Sequence, residues 1–240
     1  MIFADFVEKP IRRLAVFGLA GIVISIITAN PATAKSCRLD IANAQVEVQT
    51  YEGPTRTNNG HSSPQLAAKF GGHGKTRKKS GWVTRGLTKT SLESRIEVGI
   101  QYIKIGKNQV CVGLKDVTAR IGYSHFQVYV ARDLRPGSCE YRTTLDHEQA
   151  HVAIYKDQLR QFASRFEHRL ERVAASLKPI VSRSANAGHS YFLGKIRSEF
   201  QQVYRQFDRE TDRRQGRLDT PENYRREQAL CPPNTQGQLR

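Results

Sequence analysis

Hydrophobic and polar positions change period along the chain. Val46, Val48 and Thr50 alternate with Glu47 and Gln49, the two-residue period of a half-buried strand. Four β-branched and aromatic runs follow: Ile96 to Ile105, Val110 to Val112, Val117 to Ile121 and Phe126 to Val130. Gly106-Lys107-Asn108 suits a hairpin turn between the first two. Together they predict a small, mostly antiparallel sheet with Phe126 to Val130 as an edge strand. After Arg135-Pro136-Gly137, Ser138 offers a helix cap and the period becomes helical. Leu159, Phe162, Phe166, Leu170, Val173 and Leu177 form one apolar stripe, and Lys178-Pro179 stops the helix. A Ser/Asn/Gly linker leads to a second amphipathic helix carrying Phe192, Ile196, Phe200, Val203 and Phe207. Residues 53–90, rich in Gly, Ser, Asn and basic side chains, read as a long surface loop with short ordered pieces, anchored by Trp82. The order of elements predicts an α+β domain.

The ends of the chain read differently from its middle. Lys9, Arg12 and Arg13 precede a charge-free apolar run from Leu14 to Ala29, and Ala32-Thr33-Ala34 gives an A-x-A site. Residues 1–34 therefore read as a cleaved secretory signal, with no stable membrane insertion afterwards and a periplasmic or secreted location. The remaining chain suits a single domain over 35–231, and Pro232-Pro233 opens a disordered tail at 232–240. Removing the signal takes three cations and two anions from the +16 of the whole chain and leaves +15. That charge favours anionic cell-envelope components as neighbours, with no nucleic acid expected. Cys37, Cys111, Cys139 and Cys231 all fall after the signal, so two disulfides in one of three connectivities are expected. Their positions favour Cys37 with Cys111, tying the first strand to the sheet, and Cys139 with Cys231, tying the C-terminal segment to the first helix.

Candidate chemistry concentrates at His147-Glu148-Gln149-Ala150-His151, an H-E-x-x-H sequence. On a helix the two histidines stand one turn apart and can bind one Zn²⁺, with the glutamate beside the open position as general base. With 7 His and 13 Glu in 240 residues, chance would produce the spelling roughly 0.01 times. With His147 at 0°, Glu148 falls at about 100° and His151 at about 40°, close to the apolar stripe centred near 110°. A carboxylate there needs a partner. The other histidines, His61, His73, His125, His168 and His189, read as solvated or structural.

Catalytic zinc usually takes three protein ligands. Asp157 follows His151 at the metzincin distance, but Ile154 stands where that geometry needs glycine. The returning helix is the better source, and its wheel slightly prefers Glu210 to Asp208. At this point the chain resembles the bacterial domain of unknown function 922, described as predicted secreted zinc-dependent proteases. The resemblance rests on HEQAHVAIY and on Gln206 to Arg213, where Asp208 and Thr211 match a second motif of approximately Y-D-x-x-T-x-H-G. Phe207 stands for its Tyr, and Arg213-Arg214 replace its His-Gly. The resemblance implies a zincin-like fold and makes Asp208 the third ligand, with Glu210 as the alternative.

The expectation is an exported zinc metallopeptidase. His147, His151 and Asp208 would hold Zn²⁺, Glu148 would act as general base on an activated water, and a peptide or protein would be the substrate. The rival is a non-catalytic basic binding module of the cell envelope on the same fold, motivated by Arg213-Arg214 and the positive charge.

Overall fold

A 22-residue strand running through the middle of the sheet organises the molecule. The computed structural model describes residues 37–39, 43–70 and 83–232. The signal segment, His73, Trp82 and residues 233–240 lie outside them. Among the described residues the elements are β1 (Gln45–Glu52), β2 (Thr55–Asn58), α1 (Ser63–Phe70), β3 (Gly86–Gly106), β4 (Gln109–Val130), α2 (Cys139–Ser176), β5 (Ile180–Ser182), α3 (Ala185–Leu218) and α4 (Pro221–Gln228). Four expected strand segments are thus two long strands. The expected loop over 53–90 contains β2, α1 and the start of β3.

β3 and β4 form a hairpin turning at Lys107-Asn108, with Gly106 opposite Gln109. The other edge of β4 is shared by three short strands. β5 pairs antiparallel with Val110 to Val112, whereas β1 and β2 run parallel to Asp116 to Tyr123 and to Phe126 to Tyr129. The sheet is therefore mixed, not mostly antiparallel as expected. The reason is topological: α1 carries the chain from β2 to the opposite edge of β4, and parallel neighbours need such a crossover. Phe126 to Val130 is not an edge strand either, because β3 flanks it on one side and β2 on the other.

β4 bends at Ser124-His125. Val117, Ala119, Ile121 and Tyr123 are buried before this point and Phe126, Val128 and Val130 after it. The burial parity changes because β4 holds one residue more than β3 between paired positions, a bulge that keeps the apolar set on one face. Gly53 accommodates the bend on the other side. A Cβ there would lie 1.9 Å from the Ser124 carbonyl oxygen.

α2 and α3 pack on that face. Ser138 caps α2 by accepting from the Tyr141 N–H at 3.2 Å, as expected, and Leu177 closes it ahead of Pro179. The apolar stripe is buried at Leu159, Phe162, Phe166 and Leu170, and α3 answers with Phe192, Ile196 and Phe207. Cys37 joins Cys111 and Cys139 joins Cys231, the pairing favoured from the sequence. No helix among the described residues is long and apolar enough to cross a membrane.

Phe162 joins the two long helices, its ring 4.8 Å from Phe207 and 5.7 Å from Phe166. Phe162→Ala should cost about 3 to 5 kcal/mol of unfolding free energy, read as a lowered urea midpoint at unchanged slope.

Candidate metal centre

The N-terminal third of α2 lies against the beginning of β3, and polar side chains replace apolar ones at that contact. His147, Glu148 and His151 are only 6%, 5% and 8% exposed. Each has partners. The Thr88 hydroxyl lies 2.8 Å from Glu148 Oε2 and 3.0 Å from the Glu148 carbonyl oxygen. Gly86 allows this approach, since a Cβ there would sit 2.4 Å from Glu148 Oε1.

The two histidines point their Nε2 atoms at a common place. His147 Nε2 and His151 Nε2 are 3.1 Å apart, and Asp219 Oδ1 lies 3.2 Å from the first and 3.1 Å from the second. Ligands of a tetrahedral zinc at ~2.0 to 2.1 Å stand roughly 3.3 Å from one another. The triangle is thus close to one face of such a site.

The far side of each ring fixes its tautomer. His147 Nδ1 is 2.9 Å from the Glu227 carboxylate, which can only accept, so Nδ1 carries the proton. His151 Nδ1 donates to Gln215 Oε1, whose amide nitrogen donates in turn to the His151 carbonyl at 3.2 Å. Both neutral rings then present lone pairs at Nε2. Three acceptor atoms so close repel one another unless a cation lies among them, and that cation is a proton or a metal ion. Electrostatics agree. Burial opposes charge on His147, but hydrogen bonds to Asp219 and Glu227 outweigh it and lift its pKa to about 9. Burial likewise opposes charge on Asp219, and its contacts with His147 and His151 more than reverse that and hold the carboxyl well below the usual range. Burial raises Glu148 above an ordinary glutamate.

Asp219 comes from the residue that caps α3, where its N–H bonds to the Gln215 carbonyl. Thr220 then caps α4 with Pro221 in the first turn, and α4 returns Tyr224 and Glu227 to the site. The Tyr224 hydroxyl donates to Asp219 Oδ1 at 2.6 Å and its ring lies 4.9 Å from that of His147. Asn223 Nδ2 lies 2.7 Å from Glu227 Oε1 and 3.0 Å from the last carbonyl of α3.

His147, Glu148 and His151 thus come together as expected, and Asp208 does not join them. Asp208 is exposed on α3, three turns before Asp219. Glu210 pairs with Arg165 at 2.8 Å and Asp157 with Arg214 at 2.6 Å. The correction has a geometric cause. α3 runs antiparallel to α2, so Glu199 meets Arg169, Glu210 meets Arg165, Arg214 meets Asp157 and Gln215 meets His151. Continuing that register to His147 requires a residue beyond the end of α3. Asp219, Glu227, Gln215, Tyr224 and Thr88 were not singled out from sequence. The one local signal was Asp219-Thr220-Pro221, a helix end followed by a cap and a first-turn proline.

Compared with protein-family models, with curated proteins and with solved structures, the chain matches none.

Two outcomes test this geometry. In metal-free protein the charged form of His147 stabilises the fold below the ordinary histidine value of 6.5, and that contribution fades as pH rises through about 9. A divalent cation must displace the same proton, so Zn²⁺ affinity measured by chelator competition should climb with pH up to that point. Removing the Cys139–Cys231 bond by double serine substitution should weaken Zn²⁺ binding by about 10 to 100-fold, because it frees the helix that orients His147 through Glu227. Removing Cys37–Cys111 should lower stability and leave the affinity within about threefold.

Proposed function

We propose that the protein is a zinc-dependent metallopeptidase of zincin-like architecture, acting in an oxidising, extracytoplasmic compartment on peptide bonds. The observation that carries this is the triangle of His147 Nε2, His151 Nε2 and Asp219 Oδ1, with edges of 3.1 to 3.2 Å, beside the buried carboxylate of Glu148. An imidazole pair with one carboxylate is a donor set suited to catalytic zinc, and the carboxylate behind His147 is the usual orienting partner of such a ligand. Zinc, when bound, supplies a Lewis acid that polarises the scissile carbonyl and acidifies a water. Glu148 takes the proton of the attacking water and passes it to the leaving amine, and burial raises its pKa above that of an ordinary glutamate. Thr88 keeps Oε2 of that carboxylate oriented. Gly86 to Thr90 of β3 borders Glu148, and among the described residues β3 pairs with β4 alone. An extended peptide added to that edge would run past the base, with main-chain hydrogen bonds holding it. The two disulfides fit the compartment.

Glu148→Gln should lower peptide hydrolysis by about 10² to 10⁴-fold with zinc retained. His147→Ala, His151→Ala and Asp219→Ala should each lose the metal, while Asp208→Ala keeps both metal and turnover. Hydrolysis undiminished in Glu148→Gln removes the mechanism, and full zinc occupancy in Asp219→Ala removes the ligand set. A wild-type protein that holds zinc and cleaves no peptide would instead be the non-catalytic binding module.

A further inference from the structure

The five arginines in the second half of α3 divide into two sets by their pairing. Arg214 reaches toward α2 and pairs with Asp157 at 2.6 Å, and α3 also offers Glu199 and Glu210 to Arg169 and Arg165 of α2 at 2.7 and 2.8 Å. Arg205, Arg209, Arg213 and Arg217 are all exposed. Among the described residues none of the four is in an ion pair within 4.0 Å. They repeat every fourth residue, so their Cα atoms rise by about 6 Å per step over roughly 18 Å and turn by about 40° each time. Like charges at this spacing destabilise a helix. Asp208 and Asp212 lie along one flank of the row and offset part of that, and the C-terminal end of the helix favours Arg217. The row ends two residues before Asp219.

We propose that this row is a docking track for a linear cell-envelope polymer bearing a phosphate on each repeating unit. Guanidinium groups match phosphate in pairs of hydrogen bonds, and every cation of the row is Arg, not Lys. A step of about 6 Å suits successive phosphates of a flexible chain. The gradual turn of the row favours a polymer that can follow the helix over a flat lipid surface, which meets its outermost members obliquely. Because the track ends at Asp219, a bound polymer would hold the protein with its metal centre against that polymer. The docking does not depend on peptidase activity.

The test uses the metal-free, disulfide-bonded protein and a poly(glycerol phosphate) chain, with binding followed by calorimetry at several salt concentrations. Binding should weaken as salt rises, with a log–log slope of about −3 for four contacts to a flexible polyanion. The variant R205Q/R209Q/R213Q/R217Q should bind at least tenfold more weakly, and K104Q/K107Q/K115Q/R120Q, which removes the same charge from the exposed sheet side, should bind within twofold of wild type. Each half of the first variant, R205Q/R209Q and R213Q/R217Q, should show an intermediate loss, which keeps the test valid if the fourfold change disturbs folding. Equal losses in the row and control variants would mean that net charge alone drives binding and would overturn the track. So would tighter binding to phosphatidylglycerol vesicles, or to a single-stranded oligonucleotide at equal phosphate concentration.

Discussion

Two imidazoles and a carboxylate buried in the apolar face of one helix must each find a polar partner, and the elements around them meet that demand. Each such group left unpaired would cost a few kcal/mol, a large share of the stability of a domain this size. Thr88 of β3 serves Glu148, Gln215 of α3 serves His151, and Glu227 of α4 serves His147. One residue of the motif is thereby tied to each of three elements distant in the chain. What none of these partners satisfies is the mutual approach of the two Nε2 atoms and Asp219 Oδ1. A cation between them, a proton or a metal ion, offsets that excess of lone pairs.

The position of the third acidic group follows from helix register. Arg169, Arg165, Asp157 and His151 of α2 meet α3 residues that advance toward its C-terminus, so the end of α3 stands opposite the beginning of α2. An antiparallel pair joined by a short connection at the far end places its chemistry at the open end. Asp208 and Glu210 are on the correct helix but too near the middle of the pair. A helical wheel resolves rotation about the axis and contains no information on displacement along it, which is why it preferred Glu210, while Asp208 rested on the motif resemblance.

The sequence disclosed what is local. The apolar stripe of α2, its Ser138 cap, the β3–β4 turn and the histidine pair depend on neighbours within a few residues and were legible. The disulfide pairing was legible because a strand-to-sheet and a tail-to-helix link each join segments that must already lie together. The sheet was less so. Val117 to Tyr123 and Phe126 to Val130 alternate in opposite parity, and a bulge and a gap between strands look alike until the partners are known. Parallel pairing of β1 and β2 with β4 was hidden for a related reason, since it depends on where the crossover carries the chain. The stretch after Asp208 is almost wholly polar and offers no apolar pattern to place it, because α4 buries no residue and the last turns of α3 bury little.

That polar stretch nevertheless supplies most of the surroundings of the two histidines. An eight-residue helix with no buried side chain cannot form alone in water, and α4 has no apolar face to dock it. Its position is set instead by the Thr220 cap, by the hydrogen bonds of Asn223, Tyr224 and Glu227, and by the covalent bond from Cys231 to Cys139 at the start of α2. The bond joins the two ends of the segment that matter: Cys139 lies two turns before His147 and Cys231 one turn after Glu227. A hydrophobic anchor in the same place would close the surface beside His147, where Thr143, Asp146, Ala150 and Leu230 line a small open pocket. A disulfide fixes the helix while leaving that side open, so His147 keeps its Glu227 partner beside an uncovered surface.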